Sequence, residues 1–374
     1  MRIPSLRCGV LILLLSSCLP NDAWSQHAAL GSSLSPNSYV EQVLDTMQKN
    51  ALHKRKINWD SVRSETLARS KNAKTITDTY PAIAYALSQL QERHSFLQLP
   101  DSLPAEQRKA AYEQMWKVLA RPKPDRKMSP FAPSQEIQGR MLQRASDSFA
   151  YIVIPMCAAK YADWNKNGPS FQEFAEKLHR IVMKLDAEKP RGWIVDLRGN
   201  GGGNMWPMLA GIGAVLGEGQ LGAFVSADGA SNSWQYRNGK AGGAFYTEAA
   251  ITETPFVLSD LPSVAVLFDR GTASSGEAVA ISFAGRPHER SFGEHTAGFS
   301  TANSRFPLAD GSALFLCVGT EADRTGRLYP DGLDPDVEVP EPDVRPTNDE
   351  DAAIQVALDW LARQNANTPK PSGK

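Results

Sequence analysis

The run Gly192-Trp193-Ile194-Val195-Asp196-Leu197-Arg198-Gly199-Asn200-Gly201-Gly202-Gly203-Asn204 passes from an apolar stretch through an Asp-Leu-Arg triplet into four glycines within five positions. Val195 and Leu197 favour a strand, and the glycines let the backbone turn sharply and approach a ligand with its N–H groups exposed. The apolar segment from Met205 to Leu216, rich in Ala, Leu and Met, predicts a helix directly after the loop. A glycine loop between strand and helix suits a negative charge: a phosphate, a carboxylate or the oxyanion of acyl transfer. A second segment has the same layout. An apolar run at 264–268 leads into Asp269-Arg270-Gly271-Thr272-Ala273-Ser274-Ser275-Gly276-Glu277, followed by Ala278-Val279-Ala280-Ile281. Small residues before a helix leave a serine hydroxyl exposed at its N-terminus, where backbone N–H groups favour negative charge. A serine pair alone reads as an N-cap. Two glycine- and serine-rich helix starts, each after an apolar strand, shift the reading towards acyl transfer, which needs both a nucleophile and oxyanion donors.

The elements that must position these loops follow from periodicity. Residues about 36 to 95 read as helices, with Tyr39, Val43, Leu44, Met47 and Leu52, then Ile83, Ala86, Leu87 and Leu90, at helical spacing. Residues 100 to 148 mix helical stretches with a Pro/Lys/Arg-rich piece from Ala120 to Pro133, which reads as an exposed connection. Phe149 to Pro155 is a strand candidate. Ser170-Phe171-Gln172-Glu173 is a capping box opening a helix with the apolar stripe Phe171, Phe174, Leu178, Ile181, Val182 and Leu185. Alternating strand and helix predicts a mixed α/β core, with one mixed sheet over 149–340. Thr347-Asn348-Asp349-Glu350 reads as a second capping box, opening a helix with Ile354, Leu358 and Leu361 inward. The Pro/Ser/Lys-rich tail after Asn365 reads as disordered.

Composition narrows the function classes. The 374 residues exceed most single domains, and 42% hydrophobic content suits a full core. Forty basic against 41 acidic residues leave no electrostatic footprint for nucleic acid. Arg2 and Arg7, the apolar Val10 to Leu15, and Ala23-Trp24-Ser25 read as a signal peptide over 1–25 that is cut before Gln26. The apolar run is far shorter than the ~20 residues that a spanning helix needs. Leu15-Ser16-Ser17-Cys18 also resembles a bacterial lipobox, which would make Cys18 a lipid anchor. Either route implies export to the periplasm or beyond the cell. Cys8 and Cys18 belong to this leader. Cys157 and Cys317, far apart in apolar runs, read as buried free thiols, with one bridge open to them in an oxidising compartment. No His-x-x-x-His or similar cluster suggests a metal, and no cofactor is expected.

Five motifs, in order, resemble the C-terminal processing (tail-specific) serine peptidases and their tricorn-core and retinoid-binding-repeat relatives. Asp196-Leu197-Arg198-Gly199-Asn200-Gly201-Gly202-Gly203 is similar to that family's Asp-Leu-Arg-x-Asn-x-Gly-Gly signature, and Thr272-Ala273-Ser274-Ser275-Gly276-Glu277 to its nucleophile motif. The others are Phe149-Ala150-Tyr151-Ile152, Phe292-Gly293-Glu294-His295-Thr296-Ala297-Gly298 and Asp331-Gly332-Leu333-Asp334-Pro335-Asp336. The resemblance covers most of residues 36 to 345. It implies a crotonase/ClpP-like ββα core behind an N-terminal helical subdomain: a helical region and linker at 26–148, a peptidase core at 149–345, and a C-terminal helix and tail at 346–374. By the same match Ser274 is the nucleophile, and Gly202 or Gly203 with Ser275 supply the oxyanion N–H groups.

The chain also departs from the pattern. Phe299-Ser300 stands where the processing peptidases carry a catalytic lysine, so a Ser–Lys dyad is not expected. The tricorn-like branch uses a histidine before the core, and Glu92-Arg93-His94-Ser95-Phe96-Leu97 makes His94 the expected base, with His295 and His288 as rivals. His27, His53 and His179 are adequately explained by solvent exposure. The tricorn-like branch takes the acidic residue that orients the imidazole from just before the terminal Gly-x-x-Pro-Asp motif, which by resemblance ranks Asp331 first, with Asp334 and Asp336 read as turn residues. Glu277 is expected to support the nucleophile's helix, and Asp196 with Arg198 to form a buried pair bracing the glycine loop. Only residues 96 to 148 separate His94-Ser95 from Phe149, too few to hold both the linking segments and a PDZ domain of ~80–90 residues, so none is expected. The implied partner is a polypeptide substrate; oligomeric state is left open. Two other classes compete. Gly199 and Gly201 begin a dinucleotide fingerprint, with Asp228 as the ribose contact, but the sixth position is Asn204. A non-catalytic binding protein on the same fold is the other.

Overall fold

The computed structural model describes residues 34–119, 136–158, 170–340 and 350–366. The leader with Cys18, the connection from Ala120 to Pro133, Thr347 to Asp349 and the tail beyond Ala366 lie outside these residues.

Helix α1 (Pro36–Asn50) opens where the Ser35 hydroxyl accepts the Ser38 N–H at 3.2 Å with proline in its first turn, and it buries Tyr39, Val40, Val43, Leu44 and Met47. After it come α2 (Trp59–Ser70), α3 (Tyr80–Ser88), β1 (Phe96–Gln98), α4 (Ala105–Leu119), β2 (Gln138–Arg144) and β3 (Asp147–Val153). Helix α5 (Phe171–Ala187) carries the expected capping box, with Ser170 Oγ accepting Glu173 N–H at 3.2 Å and Glu173 accepting Ser170 N–H at 2.6 Å. The chain continues through β4 (Trp193–Asp196), α6 (Met205–Leu216), β5 (Gly219–Ser226), β6 (Ser231–Arg237), β7 (Lys240–Gly243), β8 (Tyr246–Ala250), β9 (Val264–Phe268), α7 (Ser275–Phe283), β10 (Glu289–Gly293), β11 (Thr301–Pro307), β12 (Ala313–Asp323), β13 (Val337–Glu338) and α8 (Ala352–Ala366).

The strands form two sheets rather than the single mixed sheet that periodicity predicts. One runs β13-β10-β9-β4-β3-β2, parallel except for β2 against β3. The other, antiparallel, runs β1-β12-β5-β6-β7-β8 with β11 also on β12. The parallel strands β4 and β9 are buried along their whole length, which is why they read as continuous apolar runs. Helices α5, α6 and α7 pack between the sheets, sharing one apolar core with Val195 and Val266 on one side and Leu221, Trp234 and Tyr236 on the other. Helix α8 covers the opposite face of the parallel sheet through Ile354, Leu358 and Leu361, as the spacing suggests. Its cap, however, is Asp351, which accepts the Ala353 and Ile354 N–H groups at 3.0 and 3.2 Å. The N-terminal helices bury their apolar faces against Leu314 and Leu316 of β12, and the Tyr39 and Tyr80 hydroxyls both reach Asp310, at 2.9 and 2.7 Å. Among the described residues between 96 and 148, β1 and β2 each join a larger sheet, so no independent β-rich unit stands there.

Candidate active site

Strands β3, β4, β9 and β10 are parallel and in register at their carboxyl ends: Val153 opposes Asp196, Asp196 opposes Leu267, and Phe268 opposes Gly293. Their following loops therefore gather along one edge of the sheet, where ligands of open α/β sheets bind. Buried polar groups lock two of these loops together. Asp269 accepts the Gly199 and Gly271 N–H groups at 2.8 and 2.9 Å, and Asn200 O accepts Ala273 N–H at 2.9 Å. The Asn200 side chain donates to Ile154 O at 3.0 Å and accepts the Gly202 N–H at 3.0 Å. Asp196 and Arg198 form the expected buried pair, 2.7 Å apart, and Arg198 also grips both Asp351 oxygens at 3.0 Å, tying the loop to the start of α8.

Ser274 stands at the N-cap of α7 with φ +52° and ψ −122°, a backbone shape that non-glycine residues rarely adopt. Strain of this kind persists only where surrounding bonds enforce it, and Glu277 is the enforcer. One of its carboxylate oxygens accepts the Ser274 and Phe299 N–H groups, both at 2.8 Å; the other accepts Thr296 Oγ1 at 2.5 Å and Gly298 N–H at 2.9 Å. Burial raises the Glu277 pKa, and those four bonds pull against the rise. Facing Ser274, Gly202 has φ +104°, and a Cβ there would meet Ala273 O and Ser274 Cβ at 2.9 Å each, so only glycine fits this close approach. Its N–H is taken by Asn200, so the neighbouring Gly203 is the open donor nearest to it on the side of Ser275. Among the described residues, the N–H groups of Gly203 and Ser275 have no hydrogen-bond partner, and Ser275 Oγ donates to Gly203 O at 2.8 Å, holding the two donors side by side.

His94 lies between α3 and β1. Its ring packs 5.3 Å from the Phe299 ring, and Phe299 is the residue whose N–H shares a Glu277 oxygen with Ser274. The two rival histidines have other surroundings. His295 has both ring nitrogens engaged, with Asp334 at 2.6 Å and Asp331 O at 2.8 Å. His288 pairs with Val264 at the opposite end of β9, a strand length or ~15 Å from the Ser274 end. His179 is buried rather than solvent-exposed, since it lies on the inward face of α5, and burial lowers its pKa. His27 lies outside the described residues. Asp331 is exposed and meets His295 through its carbonyl; the described partner of His94 Nδ1 is instead Thr301 Oγ1, at 2.9 Å. Thr301, Cys317 and Glu92, which adjoin His94, carry no signal in the sequence beyond a strand residue, an apolar-run thiol and a charge near the histidine. Asp228, the ribose contact of the dinucleotide reading, is paired with Lys54 and Arg55 at 2.9 and 2.5 Å on the surface. Cys157 and Cys317 are both free and buried, and burial pushes the Cys157 thiol up to about 12. No helix among the described residues is long and apolar enough to cross a membrane.

The family model described as "Peptidase family S41" matches residues 149–339. The nisin-resistance protein of Lactococcus lactis subsp. lactis is 27% identical over 333 residues, covering 88% of each chain. Among solved structures, a lipoprotein from Streptococcus agalactiae superposes with a TM-score of 0.63 at 22% identity, over 88% of this chain and 97% of that one. The photosystem II D1 C-terminal processing protease gives a TM-score of 0.55 at 16% identity, over 87% of this chain and 97% of that one.

Proposed function

Since the chain belongs to peptidase family S41, a family of serine-type peptidases, we propose that it is an exported serine peptidase that hydrolyses peptide bonds through an acyl-enzyme on Ser274. The observation that carries this reading is the strained backbone of Ser274, held at a helix N-terminus against the glycine loop and linked through Glu277 and Phe299 to a histidine. In this reading Ser274 Oγ attacks the scissile carbonyl while His94 takes its proton. The Gly203 and Ser275 N–H groups hold the oxyanion, aided by the positive end of α7. His94 then hands the proton to the departing amine, and water repeats the sequence to release the acid.

A fluorophosphonate should label wild type at Ser274, and Ser274→Ala should abolish labelling with the fold intact. His94→Ala should cost several orders of magnitude, because loss of a triad member leaves only the ~10³–10⁴ over water from oxyanion hole and binding. Labelling at Ser275 would move the nucleophile by one residue. A wild type inert to the reagent and to unfolded casein, yet thermally stabilised by peptides, would favour a binding protein on this fold. The name of the Lactococcus relative makes nisin-like peptides the first substrates to try. For export, residues 1–25 act as a signal peptide, and the Streptococcus lipoprotein supports keeping the lipid route at Cys18 open. Mass spectrometry of the mature N-terminus separates Gln26 from a diacylglyceryl Cys18.

A further inference from the structure

His94 needs its proton on Nδ1 if Nε2 is to accept one from Ser274, and the usual device is a carboxylate against Nδ1. Here the atom against Nδ1 is a hydroxyl, Thr301 Oγ1 at 2.9 Å, which by itself can donate or accept and so fixes nothing. The contacts continue. Thr301 Oγ1 lies 3.2 Å from Cys317 Sγ, and Cys317 Sγ lies 3.1 Å from Glu92 Oε2. We propose that Thr301, Cys317 and Glu92 form a positioning relay that sets the tautomer of His94, with Glu92 as its electrostatic anchor. The proposal rests on the reading of His94 as the base.

The direction of the chain follows from donor and acceptor capacity. A carboxylate only accepts, so the Cys317 S–H points at Glu92. The sulfur can then only accept from Thr301 O–H, and the Thr301 oxygen in turn accepts Nδ1–H. Every step is forced once its last member is an anion. Burial, and secondly the charge of Glu92, push the Cys317 thiol up, so it keeps the proton that it donates. The anchor also fixes where the ring starts, because the same Glu92 oxygen accepts the backbone N–H groups of His94 at 2.6 Å and Ser95 at 3.0 Å. Ser95 Oγ accepts Cys317 N–H at 2.9 Å, and Asn303 donates to His94 O at 3.1 Å, so β11 and β12 hold both ends of the relay. Among the described residues, the route from Nδ1 to a carboxylate runs through a strand hydroxyl and a buried thiol.

The test uses the full chain and a fluorophosphonate, separating the maximal labelling rate from the concentration for half-maximal rate. Thr301→Val removes the hydroxyl at nearly constant shape and should lower the maximal rate about 10–100-fold, the usual cost of an outer partner of a working imidazole, with half-saturation within about twofold. Thr301→Ser should restore most of the rate, and Cys317→Ala should fall between the two. Nitrogen-15 NMR of the His94 ring should show Nδ1–H in wild type and a tautomer mixture in Thr301→Val. A wild-type ring protonated on Nε2, or a Thr301→Val protein labelled at the wild-type rate, would overturn the relay. If wild type is not labelled at Ser274 at all, the peptidase reading fails, while the NMR tautomer still decides the relay.

Discussion

At Ser274 the positive φ makes Cβ the source of strain, because only a residue without Cβ relaxes there. Replacing it with glycine removes roughly 1–3 kcal/mol of strain and returns about 0.5–1 kcal/mol as unfolded-chain entropy. Ser274→Gly should therefore melt a few degrees above Ser274→Ala, though both are dead towards fluorophosphonate. A glycine variant melting at or below the alanine variant would mean that the turn stores no strain. The two reactive loops are legible in the sequence because each stands at the end of an apolar run and is built from residues local to it. What the sequence hides is which donor is left over. The Gly202 N–H is satisfied by Asn200 only two residues away, through a side-chain turn with no compositional mark, whereas His94 meets Thr301 across 207 positions. Asp331 illustrates the same limit. Its place near the end of the core matches a motif, but the strand that passes His94 is β11, and the contact goes to the residue that β11 presents.

Among the elements, β4 and α8 depend on one buried cation. Arg198 is flanked by Asp196 and Asp351, all three buried, and the Tyr151 hydroxyl adds a bond to Asp196 at 2.7 Å. Removing the guanidinium strands two carboxylates in the interior, a change that costs about 3–5 kcal/mol when one partner of a buried pair is lost. Arg198→Met should lower the unfolding free energy from denaturant titration accordingly, whereas a value within about 0.5 kcal/mol of wild type, the usual range of a surface change, would mean that the triad carries no structural weight. The network also explains why Asp351 caps α8 through the Ala353 and Ile354 N–H groups. An acceptor already fixed by Arg198 is in place to cap. Helices α5 and α6 and strands β4 and β9 are readable from periodicity because each has a single, simple burial pattern. The strands from Gly219 to Ala250 are harder to read. In β6 only Trp234 and Tyr236 are buried, amid Ser, Asn, Gln and Arg, and register shifts in β5 and β7 break the alternation. Their antiparallel pairing into a second sheet is a tertiary outcome that local spacing does not encode.

Over the whole molecule, buried carboxyl groups make folding depend on pH in an unusual direction. Glu321 is buried, its Oε2 without a partner among the described residues, and burial together with the charge of Glu277 raises its pKa well above the ordinary value. Burial raises Glu277 too, and burial with the charge of Asp336 takes Glu289 up to about 8. All three hold their protons more tightly folded than unfolded. At these three sites the native state therefore binds more protons than the unfolded chain above an ordinary glutamate pKa of about 4.3, and their contribution to stability is present in full below that pH and lost as pH rises through the folded values. Each fully differential proton tilts stability by about 1.4 kcal/mol per pH unit. Thermal melts between pH 6.5 and 8.5, above the range in which the lowered pKa of buried His179 opposes the trend, should show the melting temperature falling with pH, and Glu321→Gln and Glu289→Gln should each flatten that fall by keeping the neutral shape without a titrating proton. Neither residue touches the serine, so the Ser274 labelling rate at neutral pH should stay near wild type in both variants. A melting temperature that rises over this range in wild type, or a slope unchanged in both variants, would show that these carboxyl groups are ionised in the folded protein and that its interior admits their charge.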